Sequence, residues 1–164
     1  YFEMLKANYP DSVDQSLALM SNQLLWNGTD PANYLRPLLN HPDKHVLLAV
    51  AKGDWQVPLV SNEITVRSHM GLVVMKDYGR DIQGEVNGAI QVLEETAYPH
   101  TGSGLVLYDH GNPWPPPGNT PPHDDLGDPH GKPRHLAHHS EQLMHFFRTG
   151  EIIDVCGGDG CTPD

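Results

Sequence analysis

The sequence predicts an α/β fold, a parallel sheet with helices on its faces, and three observations predict it. Two apolar runs of strand length, residues 45–51 and 104–109, each end abruptly in turn-forming residues. Segments with apolar residues at helical spacing lie between and around them. The resulting order is helix, buried strand, helix, strand, long loop, helix, and such alternation implies parallel strands joined by helical crossovers.

Residues 3–26 carry Leu17, Leu19, Met20, Leu24 and Leu25 at roughly helical spacing and are expected to be largely helical. The breaker NGTDP follows. Asp30 is then expected to cap a short helix, PANYLRPLL, with Pro31 at its first position. NHPDK reads as a loop. Residues 45–51 are rich in Val and Leu, and their length and flanking breakers favour a buried strand. That run stops on Gly53 and Asp54 and closes on Val57 and Pro58. In LVSNEITVRSHMG, Ser61 or Asn62 can cap a helix with Glu63 in its first turn and Gly71 at its end. LVVM is a short strand, whereas GEVNGAIQVLEETAY mixes periods and reads as either a helix or an excursion loop. SGLVLYDHG holds the second clear strand. Residues 110–133 form a long loop of Pro, Gly, Asp and His. RHLAHHSEQLMHFFRTG is the last helix, with Leu136, Leu143, Phe146 and Phe147 apolar and Gly150 as its stop.

The 164 residues suit one domain or half of a larger one. Gly (16) and Pro (15) make up about a fifth of the chain, so loops are long, yet the apolar runs can still build a core. A formal net charge of -11, with no cluster of Lys or Arg, argues against nucleic acid and anionic membrane surfaces as partners. No apolar run approaches the roughly 18 residues of a membrane span. The opening YFEMLKANYP has neither a starting Met nor an apolar leader core, and it reads as an internal starting point. Cys156 and Cys161 flank four turn-prone residues that could close a small disulfide. A zinc site would need two further ligands nearby. The disulfide favours an exported protein, extracellular or in the periplasm and cell envelope.

Beyond the carboxyl ends of parallel strands is where function gathers. Asp54 follows one such end, and the histidine-rich loop begins past another. A carboxylate after one strand and a histidine after the next form the rear half of a Ser, Asp, His triad. LLAVAKGDWQVPLVSNEITVRSHMG resembles the acid-bearing segment of α/β-hydrolase-fold esterases and lipases. DPHGKPRHLAHHSEQLMHFFRTGEI resembles the histidine loop and last helix of that fold. DPANYLRPLL is similar to the connection that precedes strand seven. Over residues 29–155 the resemblance implies the C-terminal part of an α/β-hydrolase sheet, strands seven and eight with flanking helices, and residues 1–164 as the C-terminal portion of one domain. It implies Asp54 as the catalytic acid and His130 as the catalytic base, with His123 and His110 as alternates. Trp55 would be a wall of the substrate pocket. The activity implied is carboxylic ester hydrolysis without a cofactor. Taken as a plain turn residue, Asp54 needs no such role, since Gly-Asp is common punctuation.

No G-x-S-x-G occurs in the sequence. TGSGL is too short a match and lies after Asp54, while Ser12, Ser16 and Ser21 sit in the helical stretch. The nucleophile and oxyanion hole are therefore expected upstream, on a companion N-terminal segment or chain, and this chain alone should be inactive. Two other readings compete. His135 and His139 stand at i and i+4, a spacing able to chelate one metal ion, among His138 and His145; Asp124, Asp125 and Asp128 could offer oxygens to a harder ion such as calcium. No H-E-x-x-H accompanies them. Alternatively Trp26, Trp55 and Trp114 with PWPPPGNTPP could form a non-catalytic interaction module.

Overall fold

The computed structural model describes residues 2–30, 32–68, 72–79, 94–114, 126–158 and 161, in two units, Tyr1–Pro37 and Leu38–Asp164. In the first unit the single helix expected over residues 3–26 is two, α1 (Phe2–Asn8) and α2 (Ser12–Trp26). Pro10 has no amide hydrogen with which to continue α1. Asp11 restarts the helix, its carboxylate accepting from the amides of Val13 (2.8 Å) and Asp14 (3.4 Å). The apolar spacing of α2 is helical as expected, but none of its residues is buried, and Leu17, Leu24, Leu25 and Trp26 are exposed. The NGTDP breaker turns the chain through amide bonds from Thr29 and Asp30 to the Trp26 carbonyl, and α3 (Ala32–Leu39) follows. Pro31 lies outside the described residues.

The second unit is mixed α/β. Its elements are β1 (Leu47–Ala51), α4 (Leu59–Ser68), β2 (Leu72–Met75), β3 (Glu95–Thr96), β4 (His100–Thr101), β5 (Ser103–Tyr108), α5 (Ala137–Thr149) and β6 (Glu151–Ile152). The main sheet has the order β1-β5-β2-β3, and each neighbouring pair is parallel. A second, antiparallel pair joins β4 to β6. The short strand expected at LVVM is β2, on the far side of β5, and the sheet extends past the strands named from the sequence by β3. Every residue of β5 is buried, as a strand covered on both faces requires.

Several boundaries differ from expectation for local reasons. α4 begins at Leu59, ahead of the expected caps Ser61 and Asn62. Pro58 supplies the carbonyl that accepts from both the amide (2.9 Å) and the hydroxyl (2.7 Å) of Ser61. Glu63 does not sit in the first turn of α4, which starts at Leu59: it is buried and accepts a hydrogen bond from the Tyr78 hydroxyl at 2.9 Å. Gly71 lies outside the described residues. So do residues 84–93 of the ambiguous segment, whose tail is β3 and not helix. A short 3₁₀ turn, Lys132–His135, precedes α5, so α5 starts at Ala137 and not at Arg134. Leu136 between them is extended and cannot belong to either helix. Gly150 ends α5 in a left-handed conformation (φ 71°), as expected of a helix stop.

α5 is fastened to the sheet through both apolar and polar contacts. Phe146 packs into a cluster with Val73, Met75, Val106, Tyr108 and Ile152. The Tyr108 hydroxyl donates to Gln142 Oε1 at 2.8 Å, and Gln142 Nε2 donates to the Ile153 carbonyl at 3.1 Å. Tyr108 and Gln142 are both fully buried, and burial pushes the phenol well above its ordinary range. Tyr108→Phe strands the Gln142 acceptor in the core and should cost about 1–3 kcal/mol. Urea unfolding monitored by far-UV circular dichroism measures this, and an unchanged midpoint would show that the hydrogen bond contributes nothing.

Candidate active site

Gly53 is the residue that turns the end of β1 toward the site. Its φ is +74°, and a Cβ there would stand 2.8 Å from Asn112 Cβ and 3.1 Å from the Pro113 carbonyl. Only glycine combines that left-handed conformation with so close an approach. Asn112 is itself buried, its side-chain amide donating to the Gly127 carbonyl at 3.1 Å. The chain therefore leaves β1 against the loop that follows β5, and the next residue is Asp54.

The two oxygens of Asp54 have separate duties. Oδ1 accepts from the amides of Gln56 (2.8 Å) and Val57 (2.9 Å), an Asx turn that fixes the carboxylate to its own backbone. Oδ2 is 2.8 Å from Nδ1 of His130, a residue 76 positions away. The Asp54 side chain is 9% exposed and the His130 side chain 28%. A carboxylate can only accept, so Nδ1 carries the hydrogen of this bond and Nε2 is left as the free, basic nitrogen. His130 and Asp54 both line a groove of about 370 Å³. Val50, Val57 and Leu143 give it an apolar wall, and Asn62, Arg134 and His139 bring polar groups to it.

Asp128, which sequence reasoning weighed only as a calcium ligand, clasps the two loops together. Its Oδ1 accepts from the His130 amide (3.0 Å) and the Trp55 amide (3.3 Å), and its Oδ2 from the Gln56 side chain (2.8 Å). One carboxylate thus ties the loop after β1 to the loop before α5. Burial alone pulls its pKa upward, but the hydrogen bonds from Gln56, His130 and Trp55, with the nearby imidazole, outweigh this and hold it below the ordinary carboxylate range. The sequence shows Asp128 two residues before the candidate histidine, but not its partners Trp55 and Gln56, more than 70 residues away.

The remaining expected residues fall as follows. His110 lies just past β5, its ring Nε2 buried without a hydrogen-bond partner among the described residues; desolvation first, then the charge of Lys132, push its pKa down. It has no contact with Asp54 to match that of His130. His123, Asp124 and Asp125 lie outside the described residues. Trp55 contributes its backbone amide to the Asp128 clasp and is not among the residues lining the groove, where Val57 stands instead. His135 is exposed in the 3₁₀ turn, whereas His139 is buried in α5 edge-on to Tyr108 at 5.0 Å. The i, i+4 spacing of these two is therefore not realised on one helix. Desolvation pushes the His139 imidazole down, and the neighbouring His138 and Arg134 add to it. Trp114 packs on Tyr78 at 5.8 Å, and the Lys52 ammonium lies 5.0 Å from its ring centre. Cys156 and Cys161 form a disulfide with Cα atoms 5.0 Å apart. No helix among the described residues is long and apolar enough to cross a membrane.

No family model, curated protein or solved structure matches the chain. The site's geometry is an imidazole oriented by a carboxylate, on the lining of a partly apolar groove.

A depressed folded-state pKa means that the Asp128 clasp contributes stability above about pH 4, the ordinary carboxylate value, and loses it as pH falls through the lower folded value. Asp128→Ala should cost about 1–2 kcal/mol at neutral pH. The gap to wild type should narrow in urea titrations repeated at about pH 3, below the ordinary carboxylate value. A gap that stays constant with pH would show that the ionised carboxylate is not what holds the loops.

Proposed function

We propose that this chain supplies the acid and the base of a serine hydrolase acting on carboxylic esters, as the rear part of an α/β-hydrolase domain. One observation carries the reading: the 2.8 Å bond from His130 Nδ1 to an Asp54 carboxylate whose other oxygen is fixed by two backbone amides. That arrangement orients an imidazole, selects its tautomer and stabilises the imidazolium that forms when the ring takes a proton. The same pair could serve any reaction that needs a general base. The parallel sheet, the chain order of acid before histidine and the groove's apolar wall favour acyl transfer to water.

In the proposed cycle a serine, absent from this sequence as a G-x-S-x-G elbow, is brought by a companion segment or chain. His130 Nε2 takes the serine proton as the oxygen attacks the ester carbonyl. The protonated ring, held by Asp54, then gives that proton to the leaving alcohol. Water enters by the same route and releases the acid. Val50, Val57 and Leu143 would meet the apolar part of the ester. The disulfide and the absence of a membrane-crossing helix among the described residues are compatible with an extracellular or envelope location.

Fluorophosphonate labelling of the protein as isolated, with every chain that accompanies it, should mark a serine on that companion segment. In the same preparation Asp54→Asn should lower kcat for an activated ester by about 10⁴-fold, since an amide no longer holds the imidazole in the required tautomer. His130→Ala should lower it comparably, with the unfolding midpoint little changed in both variants. Wild-type rates in either variant would remove that residue from the reaction, and failure of any serine to label would end the hydrolase reading.

A further inference from the structure

A second cluster of chemically capable side chains lies where the first turn of α5 meets the disulfide loop. A ring nitrogen of His138 and the Sγ atoms of Cys156 and Cys161 all lie within 4.8 Å of one another. Each is held by its own anchor. Cys161 is almost wholly buried, its carbonyl accepting from the Asp109 amide at 2.7 Å, so it is fixed to the end of β5. Cys156 and Gly157 both donate their amides to Asp154 Oδ1, at 2.9 and 2.8 Å. The His138 ring lies parallel to the Tyr108 ring, with 2° between their planes and 6.2 Å between centres.

One nitrogen of the His138 ring lacks a partner. His138 Nε2 is buried and makes no hydrogen bond among the described residues. A buried polar atom left unpaired costs about 1–3 kcal/mol and is rare enough to need a cause. In the disulfide form the sulfurs are bonded to each other and offer the ring only weak acceptors. Once separated, they become two of the best ligands for a soft divalent ion, and the ring nitrogen is a third.

We propose that reduction of the Cys156–Cys161 disulfide converts this corner into a two-cysteine, one-histidine site for a thiophilic divalent cation such as zinc. The step balances with a dithiol as reductant: the protein disulfide takes two electrons and two protons to give two thiols, and the dithiol becomes its own disulfide. The metal then displaces one proton from each thiol, forming two metal–sulfur bonds, and the neutral His138 ring donates a nitrogen lone pair. Tetrahedral zinc with bonds of about 2.0–2.3 Å sets its ligand atoms roughly 3.5–3.8 Å apart, so the two sulfurs, about 2 Å apart while bonded, must separate on reduction, with the His138 ring nitrogen already within 4.8 Å of both. The fourth position falls to water. Leu136 and Val155 pack against the apolar core that includes Cys161, and the strongly acidic chain attracts cations. In an oxidising compartment the disulfide prevails; the metal state belongs to reducing conditions. None of this draws on Asp54 or His130, so it stands or falls apart from the hydrolase reading.

The test uses the full chain, reduced with excess dithiothreitol that is then removed under argon, and cobalt(II) alone as the probe. The reduced protein should show thiolate-to-cobalt charge transfer in the near ultraviolet and the visible bands of a four-coordinate ion, at one cobalt per chain, displaced by one equivalent of zinc. The oxidised protein should show neither. His138→Gln, checked for fold by far-UV circular dichroism, should bind cobalt about tenfold or more weakly, since losing a direct ligand costs no less than losing its outer-shell support. Absence of the charge-transfer band in reduced protein overturns the proposal, as does a His138→Gln variant that binds as tightly as wild type. Should reduction unfold the chain, added zinc must restore the circular dichroism spectrum, because a ligand of the folded state pulls the equilibrium back; an unfolded chain that zinc leaves unchanged also overturns it.

Discussion

All six residues of β5 are out of water, and their backbone groups must find partners on both sides. β1 provides one ladder and β2 the other, and in the first the register sets Ala51 beside Tyr108. Both strands therefore end at the same level, and the chain leaves the sheet at neighbouring points. The Lys52 amide bonds to the Tyr108 carbonyl at 2.9 Å, and the Lys52 ammonium pairs with Asp109 at 2.8 Å, so the two exits are stitched one residue beyond the strands. Gly53 then presses against Asn112. A slip of two residues in this register would carry Asp54 about 6.6 Å along the strand. No side-chain adjustment could keep it within hydrogen-bond distance of His130. The burial of one strand thus positions a pair of side chains that belong to neither strand.

Electrostatics then decides how a chain this acidic can hold its carboxylates close together. Asp54, Asp109 and Asp128 all lie around the strand ends, and each has its charge answered. Asp54 faces two amides and an imidazole, Asp109 an ammonium and the Gly111 amide, Asp128 two amides and a side-chain amide. Backbone amides are the main counter-charge here, and they cost no side-chain entropy because the turns fix them already. This is why the region is built from turns rich in Gly, Pro and Asp. The same composition that makes the chain look loop-rich supplies the donors that make its acids tolerable.

Much of this was legible in the sequence, and the reasons differ by element. β1 and β5 could be read because strands buried on both faces are continuous apolar runs, and Asp54 because it terminates one of them. His130 could be read from its place before the last helix. The break between α1 and α2 at Pro10 and Asp11 was missed, because the apolar spacing was read from residues 17–25 alone and says nothing of the chain before them. β3, β4 and β6 were not legible: two residues each, they exist only because a partner strand lies beside them. The buried Glu63 was missed because its partner hydroxyl lies 15 residues away on a separate element. Asp128 was missed as a clasp for the same reason on a larger scale, since sequence shows residue types and not who stands opposite whom.

Eleven histidines in one chain raise the question of why the proposed base should be His130 in particular. His145 also pairs with a carboxylate, Glu151, at 3.0 Å. That pair sits where α5 runs into β6, and β6 pairs with β4, which immediately precedes β5. It therefore lies at the amino end of the parallel strands, away from the end where such sheets bind ligands. His110 and His139 are at the carboxyl end, but burial presses both toward the neutral form, and neither has a carboxylate hydrogen-bonded to its ring to stabilise a proton taken from a reactant. His130 alone among the described histidines combines the carboxyl end of the sheet, a carboxylate fixed by backbone amides, partial exposure and a place in the groove. A base needs all four at once, because orientation without access cannot reach a reactant and access without a counter-charge cannot hold its proton.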